Sequence, residues 1–140
     1  MKSIFEQLLL NNRLIKAAGN GDTALVEILL DQDAEIHAAS DCALRRATDG
    51  GHTETVALLI DRGADIHVVN DIALRSAVRS GHTAMIALLL SRYKITELQS
   101  LKNATNGALG GMDKLQPFVT LEIARRLVQI IIADQPPMEI

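Results

Sequence analysis

The chain has 140 residues, a hydrophobic fraction of 48%, an aromatic fraction of 2% and a formal net charge of −3. This length suits one domain, and the moderate charge argues against a disordered chain or a function that rests on gross positive charge. With two phenylalanines, one tyrosine and no tryptophan, the core must be aliphatic, and the stacked rings that bind single-stranded nucleic acids are lacking.

The first predicted element is a short N-terminal capping helix over residues 3–10. Ser3 and Glu6 have the spacing of a capping box, in which each side chain binds the other residue's backbone amide. Four apolar residues follow at helical spacing: Ile4, Phe5, Leu8 and Leu9. The polar residues between them argue against a secretory signal peptide, and no apolar stretch reaches the ~20 residues that span a bilayer.

The next 90 residues repeat with a period of 30. Three glycine-led triplets mark the period: Gly21-Asp22-Thr23, Gly51-His52-Thr53 and Gly81-His82-Thr83. Leucines and alanines keep the same interval: Leu14, Leu44, Leu74, Ala17, Ala47 and Ala77. A gapless register of this length predicts stacked units over residues 11–40, 41–70 and 71–100 that bury their apolar faces jointly.

Each unit is predicted to contain two short helices joined by a turn. In the second unit, Asp41 is expected to N-cap the first helix and Gly50-Gly51 to end it. The second helix is expected to begin at Thr53 and end at Gly63, and residues 66–69 then run extended to the next unit.

Residues 51–67, G-H-T-E-T-V-A-L-L-I-D-R-G-A-D-I-H, resemble the second helix and finger of an ankyrin repeat, whose pattern is G-H-x-E-x-V-x-L-L-L-x-x-G-A-D-V-N. The resemblance is good over residues 11–100 and weak over residues 101–134. It implies an all-α fold, an ankyrin-type α-solenoid of stacked helix-turn-helix repeats with short β-fingers. The family's T-P-L-H-x-A opening is absent, and the period is 30 instead of 33. Repeats of this style resemble those of large DNA viruses and some intracellular bacteria.

The period fails after residue 100, where a degenerate C-terminal repeat is predicted over residues 101–134, followed by a tail over 135–140. Its helix, residues 118–133, is predicted to be the longest, with Pro117 as an early helical residue. The apolar arc of this helix covers roughly 200°, about twice what the end of a solenoid needs. Either the chain itself covers the surplus, or another molecule packs there, a partner or a second copy. A second copy would form a two-fold interface through four residues: Leu121, Val128, Ile131 and Ile132.

The sequence predicts no catalytic site, no metal site and no cofactor. The four histidines occupy repeat positions, and no cysteine or carboxylate cluster converges with them, so they are expected to be structural. Cys42 has no matched base, and the glycine turns lack the Lys-Ser/Thr of a phosphate loop. A single cysteine excludes an internal disulfide framework and suits a reducing compartment.

Charge separates the two helices of each unit. Basic residues fall on the first helices: Lys16, Arg45, Arg46, Arg75 and Arg79. Acidic residues fall on the second helices: Glu27, Asp31, Glu54 and Asp61. In the ankyrin family the first helices line a concave groove, so the resemblance implies a basic groove. The basic residues are either a solvated surface or a site for a partner's acidic surface.

The third finger departs from the pattern, because Tyr93 stands where the preceding unit has Gly63. A tyrosine suits a left-handed turn poorly, so this connection is expected to differ in shape. Tyr93 is then either part of a joint to the C-terminal cap or an anchor for a partner.

The overall prediction is a non-catalytic protein-binding module, an adaptor, inhibitor or host-factor binder, with no nucleic-acid or membrane partner. Its expected contacts are the basic first-helix residues, Tyr93 and three finger residues: His67, Val69 and Asn70. The alternative is a structural protein that self-assembles through its C-terminal helix into a homodimer. The expected location is the cytoplasm, or the host cytosol if the source is a virus or an intracellular bacterium.

Overall fold

A computed structural model describes residues 2–94, 96–99 and 116–133 of the chain. The helices of this part are α1 (Ile4–Asn20), α2 (Thr23–Asp31), α3 (Ala38–Asp49), α4 (Thr53–Asp61), α5 (Val68–Ser80), α6 (Thr83–Ser91) and α7 (Gln116–Ala133). Residues 96–99 form a further helical turn. The chain divides into two compact units, Met1–Leu89 and Leu90–Ile140.

The first unit is a stack of helix pairs, which confirms the predicted all-α fold. Helix α1 packs on α3 and α3 packs on α5, while α2 packs on α4 in a second layer. The repeating leucines and alanines are buried between the layers: Leu14, Leu44, Leu74, Leu29, Leu59, Leu89, Ala17, Ala47 and Ala77. Each pair has only one apolar face, so the core exists because neighbouring pairs cover each other.

The turns between the paired helices follow the predicted glycine register. Gly21, Gly51 and Gly81 have φ values of 72°, 72° and 71°, in the left-handed region that glycine adopts without steric cost. In the second repeat the backbone amide of the next residue, His52, donates to the carbonyl of Ala47 over 2.9 Å and closes the helix end.

The connections between successive pairs differ from the prediction, because no described residue lies in a β-strand. The expected extended finger is replaced by a tight turn, in which Ala39, Ser40 and Asp41 all have left-handed φ values of 53–56°. Val69 and Asp71 repeat this geometry at the start of α5, with φ values of 50° and 57°. With three residues fewer than the family period, the chain reverses through left-handed backbone rather than through an extended finger.

Asp41 has a different role from the predicted helix N-cap. Its Oδ1 accepts two hydrogen bonds, one from the ring Nδ1 of His37 at 2.9 Å and one from the backbone amide of Asp65 at 3.3 Å. Asn11 stands 30 residues earlier and accepts the amide of Glu35 at 2.8 Å in the same way. The side chain at this position therefore holds the connecting turn 24 residues later instead of capping its own helix.

The N-terminal cap is continuous with the first repeat, because α1 extends without interruption from Ile4 to Asn20. The predicted capping box is confirmed: the Ser3 hydroxyl accepts the amide of Glu6, and the Glu6 carboxylate accepts the amide of Ser3. The boundary expected between residues 10 and 11 is therefore not a break in the helix.

The second unit contains α7, which begins at Gln116 and includes Pro117 in its first turn, as predicted. Arg126 is its main polar anchor, and its guanidinium donates to the carbonyls of Leu90 at 2.9 Å, Ser91 at 2.6 Å and Tyr93. A cation at the last carbonyls of a helix satisfies acceptors that have no intrahelical partner. The predicted repeat remnant over residues 101–115 and the tail over 135–140 lie outside the described residues.

Candidate functional site

The candidate binding site is an open groove of about 570 Å³ on the surface that α1 and α3 form together. Lys16 contributes a cation from α1 and Arg46 contributes one from α3, and both side chains are exposed. The two residues are 30 positions apart, so the repeat itself places them in adjacent helices. The remaining lining residues are Asn12, Ile15, Gly19, Asn20, Asp49 and Gly50.

Sequence reasoning missed three polar residues of this groove. Asn12 and Asn20 flank Lys16 at intervals of four residues, which places all three on one side of α1. Asp49 adds a carboxylate, which accepts the hydroxyl of the buried Ser76 at 2.5 Å. The helical spacing around Lys16 is the signal that could have found the two asparagines. The groove therefore presents cations, amides and one carboxylate, and its lining is not uniformly basic.

Arg45 is less available for a partner than the prediction required. One terminal nitrogen of its guanidinium donates to the carbonyl of Ala39 at 3.1 Å, and the side chain is half-buried. Ala39 belongs to the left-handed turn at the start of α3, so Arg45 stabilises that turn. Two other predicted cations, Arg75 and Arg79, lie exposed on α5.

The predicted finger residues lie in the connecting turn at the start of α5. His67 is exposed, and its Nδ1 contacts the carboxylate of Asp71 at 2.6 Å. The Val69 side chain is half exposed. Asn70 belongs to the first turn of α5, but its side chain is outside the described part.

Tyr93 is not the exposed partner anchor that one interpretation of the sequence favoured. Its side chain is only 3% exposed, and its carbonyl accepts a hydrogen bond from Arg126. A buried ring cannot present itself to a partner, so the structure favours the other interpretation, a joint within the second unit.

Helix α7 exposes part of the apolar set that was predicted to form an oligomer interface. Leu121 is 69% exposed and Val128 is 53% exposed. The side chains of Ile131 and Ile132 lie outside the described residues. Glu122 stabilises the helix together with the arginines three and four positions later. Its carboxylate accepts hydrogen bonds from Arg125 at 3.1 Å and from Arg126 at 2.9 Å. Burial opposes the ionisation of Glu122, but these hydrogen bonds outweigh it and lower the pKa of the carboxyl.

The histidines of the glycine triplets pack against the preceding repeat, which supports their structural role. The Nε2 of His52 donates to the carbonyl of Gly19 at 3.0 Å. A Cβ atom on Gly21 would lie 2.5 Å from the His52 ring, and one on Gly51 would lie 2.9 Å from the His82 ring. Each ring therefore needs a glycine in the preceding turn.

The described residues contain neither a metal-binding cluster nor a membrane-spanning helix. Among them, no group of three or more histidine, cysteine, aspartate or glutamate side chains could hold a metal ion. None of the described helices is long and apolar enough to span a membrane. Cys42 is a free cysteine and is half-buried.

Comparison with protein families identifies the class to which this fold belongs. Residues 14–101, more than half of the chain, match the family of ankyrin repeats in three copies. The chain therefore belongs to the ankyrin-repeat family, whose members are generally non-catalytic protein–protein interaction modules. No curated protein matches the chain.

Proposed function

We propose that this chain is a protein-binding adaptor or inhibitor, or a binder of a host factor, and that the groove between α1 and α3 is its main contact surface. The observation that supports this most is the convergence of Lys16 and Arg46 on one open groove of about 570 Å³. Both cations lie on helices fixed by a buried core, so binding costs little ordering entropy of the backbone.

The chemistry of the groove favours an acidic partner surface. Two exposed cations attract carboxylates, and the amides of Asn12 and Asn20 can donate to or accept from a partner's backbone. Asp49 repels a second carboxylate at its own position and so restricts how an acidic segment can lie in the groove. Arg75 and Arg79 on α5, with His67 and Val69 in the connecting turn at the start of that helix, extend this surface toward the third repeat.

Affinity capture from the native cell, followed by mass spectrometry, tests this proposal. The full chain is compared with the double variant Lys16→Glu/Arg46→Glu and with the matched control Arg13→Glu/Lys94→Glu. The control changes net charge equally at two exposed cations outside the groove lining. The groove variant should lose the captured partner by at least about tenfold, since each reversed charge repels the partner's carboxylates.

The control variant should recover the partner like the unaltered chain. Equal melting temperatures for all three proteins would show that the fold is retained. Recovery that is equal with the groove variant and the unaltered chain would contradict the assignment of the groove.

A second candidate function is self-assembly through α7, which the exposure of Leu121 and Val128 favours. A two-fold contact along this helix would bury both side chains against a second copy. The variant Leu121→Glu/Val128→Glu should then lower the mass measured by light scattering to that of one chain, with the helix content unchanged. An unchanged mass would contradict a role for this face.

A further inference from the structure

The N-terminal half of α1 carries an apolar stripe that the fold leaves uncovered. Phe5 is 84% exposed, Ile4 78%, Leu9 60% and Leu8 is about half exposed. With 100° of rotation per residue, these four side chains occupy an arc of about 140° on the helix. We call this set, Ile4, Phe5, Leu8 and Leu9, the N-terminal stripe.

The N-terminal stripe faces away from the core of the first unit. The same helix buries Asn11, Leu14, Ala17 and Ala18 against α2 and α3. The centre of the stripe lies about 150° around the helix from that buried face. A contiguous exposed apolar patch marks an interaction site, and a helix face that meets water is normally polar. The N-terminal stripe breaks this rule, although the capping box in the same turn is complete.

A recess adjoins the N-terminal stripe and complements it. It has a volume of about 390 Å³ and is lined by Lys2, Glu6, Leu9, Leu10, Gln32 and Asp33. A cavity of about 150 Å³ already accommodates a benzene ring, so this recess can accept a phenylalanine side chain. Phe5 lies about 6 Å from Leu9 along the helix axis, so one face carries both a protruding ring and a recess for such a ring.

We propose that the N-terminal stripe is a two-fold interface with a second copy of this chain. In an antiparallel pairing centred near residue 7, Phe5 of each copy lies opposite Leu9 of the other and enters its recess. Such an interface is isologous, because the same two positions meet twice and the assembly closes as a dimer. This inference goes beyond the proposed function, and it uses no residue of the groove between α1 and α3.

The area and the charges of this face fit a second copy. The four side chains expose on the order of 500 Å² of apolar surface per chain, so pairing buries about 1,000 Å² in total, the lower limit for a specific interface. Lys2 already contacts Asp33 at 3.7 Å, and Glu6 is engaged in the capping box. Covering the face therefore leaves no isolated charge, and a dimer with a micromolar dissociation constant is expected.

Sedimentation velocity of the full chain, from about 1 to 100 µM, tests the proposal. The unaltered chain should approach twice the 15.2 kDa mass of one chain at the higher concentrations. Phe5→Lys should raise the dimer dissociation constant about 100-fold or more, because two buried rings are replaced by two unpaired charges. At concentrations where both proteins are monomeric, its melting temperature should hardly change, since Phe5 contributes little to the core of its own chain.

A charge pair then tests the antiparallel register. Phe5→Lys/Leu9→Glu places a lysine opposite a glutamate twice and should restore much of the dimer, whereas Phe5→Lys/Leu9→Lys should stay monomeric. Ile28→Lys replaces another half-exposed aliphatic side chain, on α2 and outside the stripe, and should leave the dimer intact.

Three results would overturn the proposal. The first is an unaltered chain that stays monomeric at about 100 µM. The second is a dimer that survives Phe5→Lys, and the third is a dimer that is lost with Leu121→Glu/Val128→Glu but not with Phe5→Lys. The last result would assign self-association to α7 instead.

Discussion

At the scale of single residues, the repeat depends on a contact between a histidine ring and a glycine 31 positions earlier. His52 lies over the turn at Gly21 and donates to the Gly19 carbonyl. Gly21 is required for two reasons: its φ is left-handed, and the His52 ring occupies the space that a Cβ atom would need. The ring atoms concerned include Cγ at its root, so a simple rotation of the side chain cannot relieve the clash.

Two glycine substitutions separate these two requirements. Gly21 and Gly81 have φ values of 72° and 71°, but a Cβ atom on Gly81 would meet no atom of the described residues within 4 Å. Gly81→Ala should therefore cost about 1 kcal/mol of unfolding free energy from the backbone alone. Gly21→Ala should cost about 3 kcal/mol, since overpacking adds to the same backbone cost. Urea denaturation measures both values.

The control repeats the Gly21→Ala substitution in a chain that already carries His52→Ala. Without the ring, the cost of Gly21→Ala should fall to about that of Gly81→Ala, which is the coupling a double-mutant cycle measures. Equal costs for the two alanine variants in the unaltered chain would show that the ring contact contributes nothing.

The residue scale also shows where sequence reasoning succeeded and failed. The positions of the repeating leucines, alanines and glycines could be predicted. Burial and a left-handed φ each favour particular residue types, so these types recur every 30 residues in the sequence. The hydrogen bond by which Asp41 holds the next connecting turn could not be predicted, because its donor, Asp65, is 24 residues away and contributes only a backbone amide. Every residue except proline has such an amide, so the contact leaves no side-chain signature.

At the scale of elements, α7 depends on a small charged network for its position. Arg126 binds the carbonyls of Leu90, Ser91 and Tyr93, and Glu122 aligns that guanidinium. The hydrogen bonds from Arg125 and Arg126 lower the pKa of the Glu122 carboxyl below its ordinary value. A carboxyl with a depressed pKa in the folded state stabilises the fold once the pH exceeds its unfolded pKa.

The variant Glu122→Gln tests this network and its pH dependence. At pH 7 the variant should be less stable by about 1 kcal/mol, because the ion pairs are lost. The difference should begin to shrink as the pH falls below about 4.3, the pKa of an unfolded glutamate, and should be smallest below the lower pKa of the folded Glu122 carboxyl, where that group is protonated and uncharged. Chemical denaturation followed by circular dichroism, at pH 7 and at acidic pH, measures this difference in stability. The variant Glu54→Gln, at an exposed glutamate, is the control. A difference that is independent of pH would contradict the role of the charge.

The connecting turns are the elements whose structure the sequence failed to predict. The 30-residue period shows that each repeat is three residues shorter than the family pattern. It could not reveal the left-handed backbone at Ala39 and Val69, because neither residue type favours that conformation. Contacts from other parts of the chain hold the first of these turns, through Arg45 at Ala39 and Asp65 at Asp41.

At the scale of the whole molecule, the exposed surfaces of the first unit differ in chemistry. The groove of Lys16 and Arg46 is polar and open, and it suits an acidic protein surface. The N-terminal stripe is apolar, and it suits a second copy of the chain. The groove cations could be predicted from charge and register, but the exposure of the stripe could not, since its helical spacing is equally typical of a buried face.

The most direct test of binding through the groove is to map the contact with the partner obtained by affinity capture. Amide shifts of the isotopically labelled chain are recorded by NMR during titration with that partner, using the Phe5→Lys variant to keep the 15.2 kDa chain monomeric. The largest shifts are expected at the groove residues Lys16, Gly19, Arg46 and Gly50, and they should weaken as salt is raised. Shifts confined to α2 and α4, with no change in the groove, would contradict the proposed binding surface.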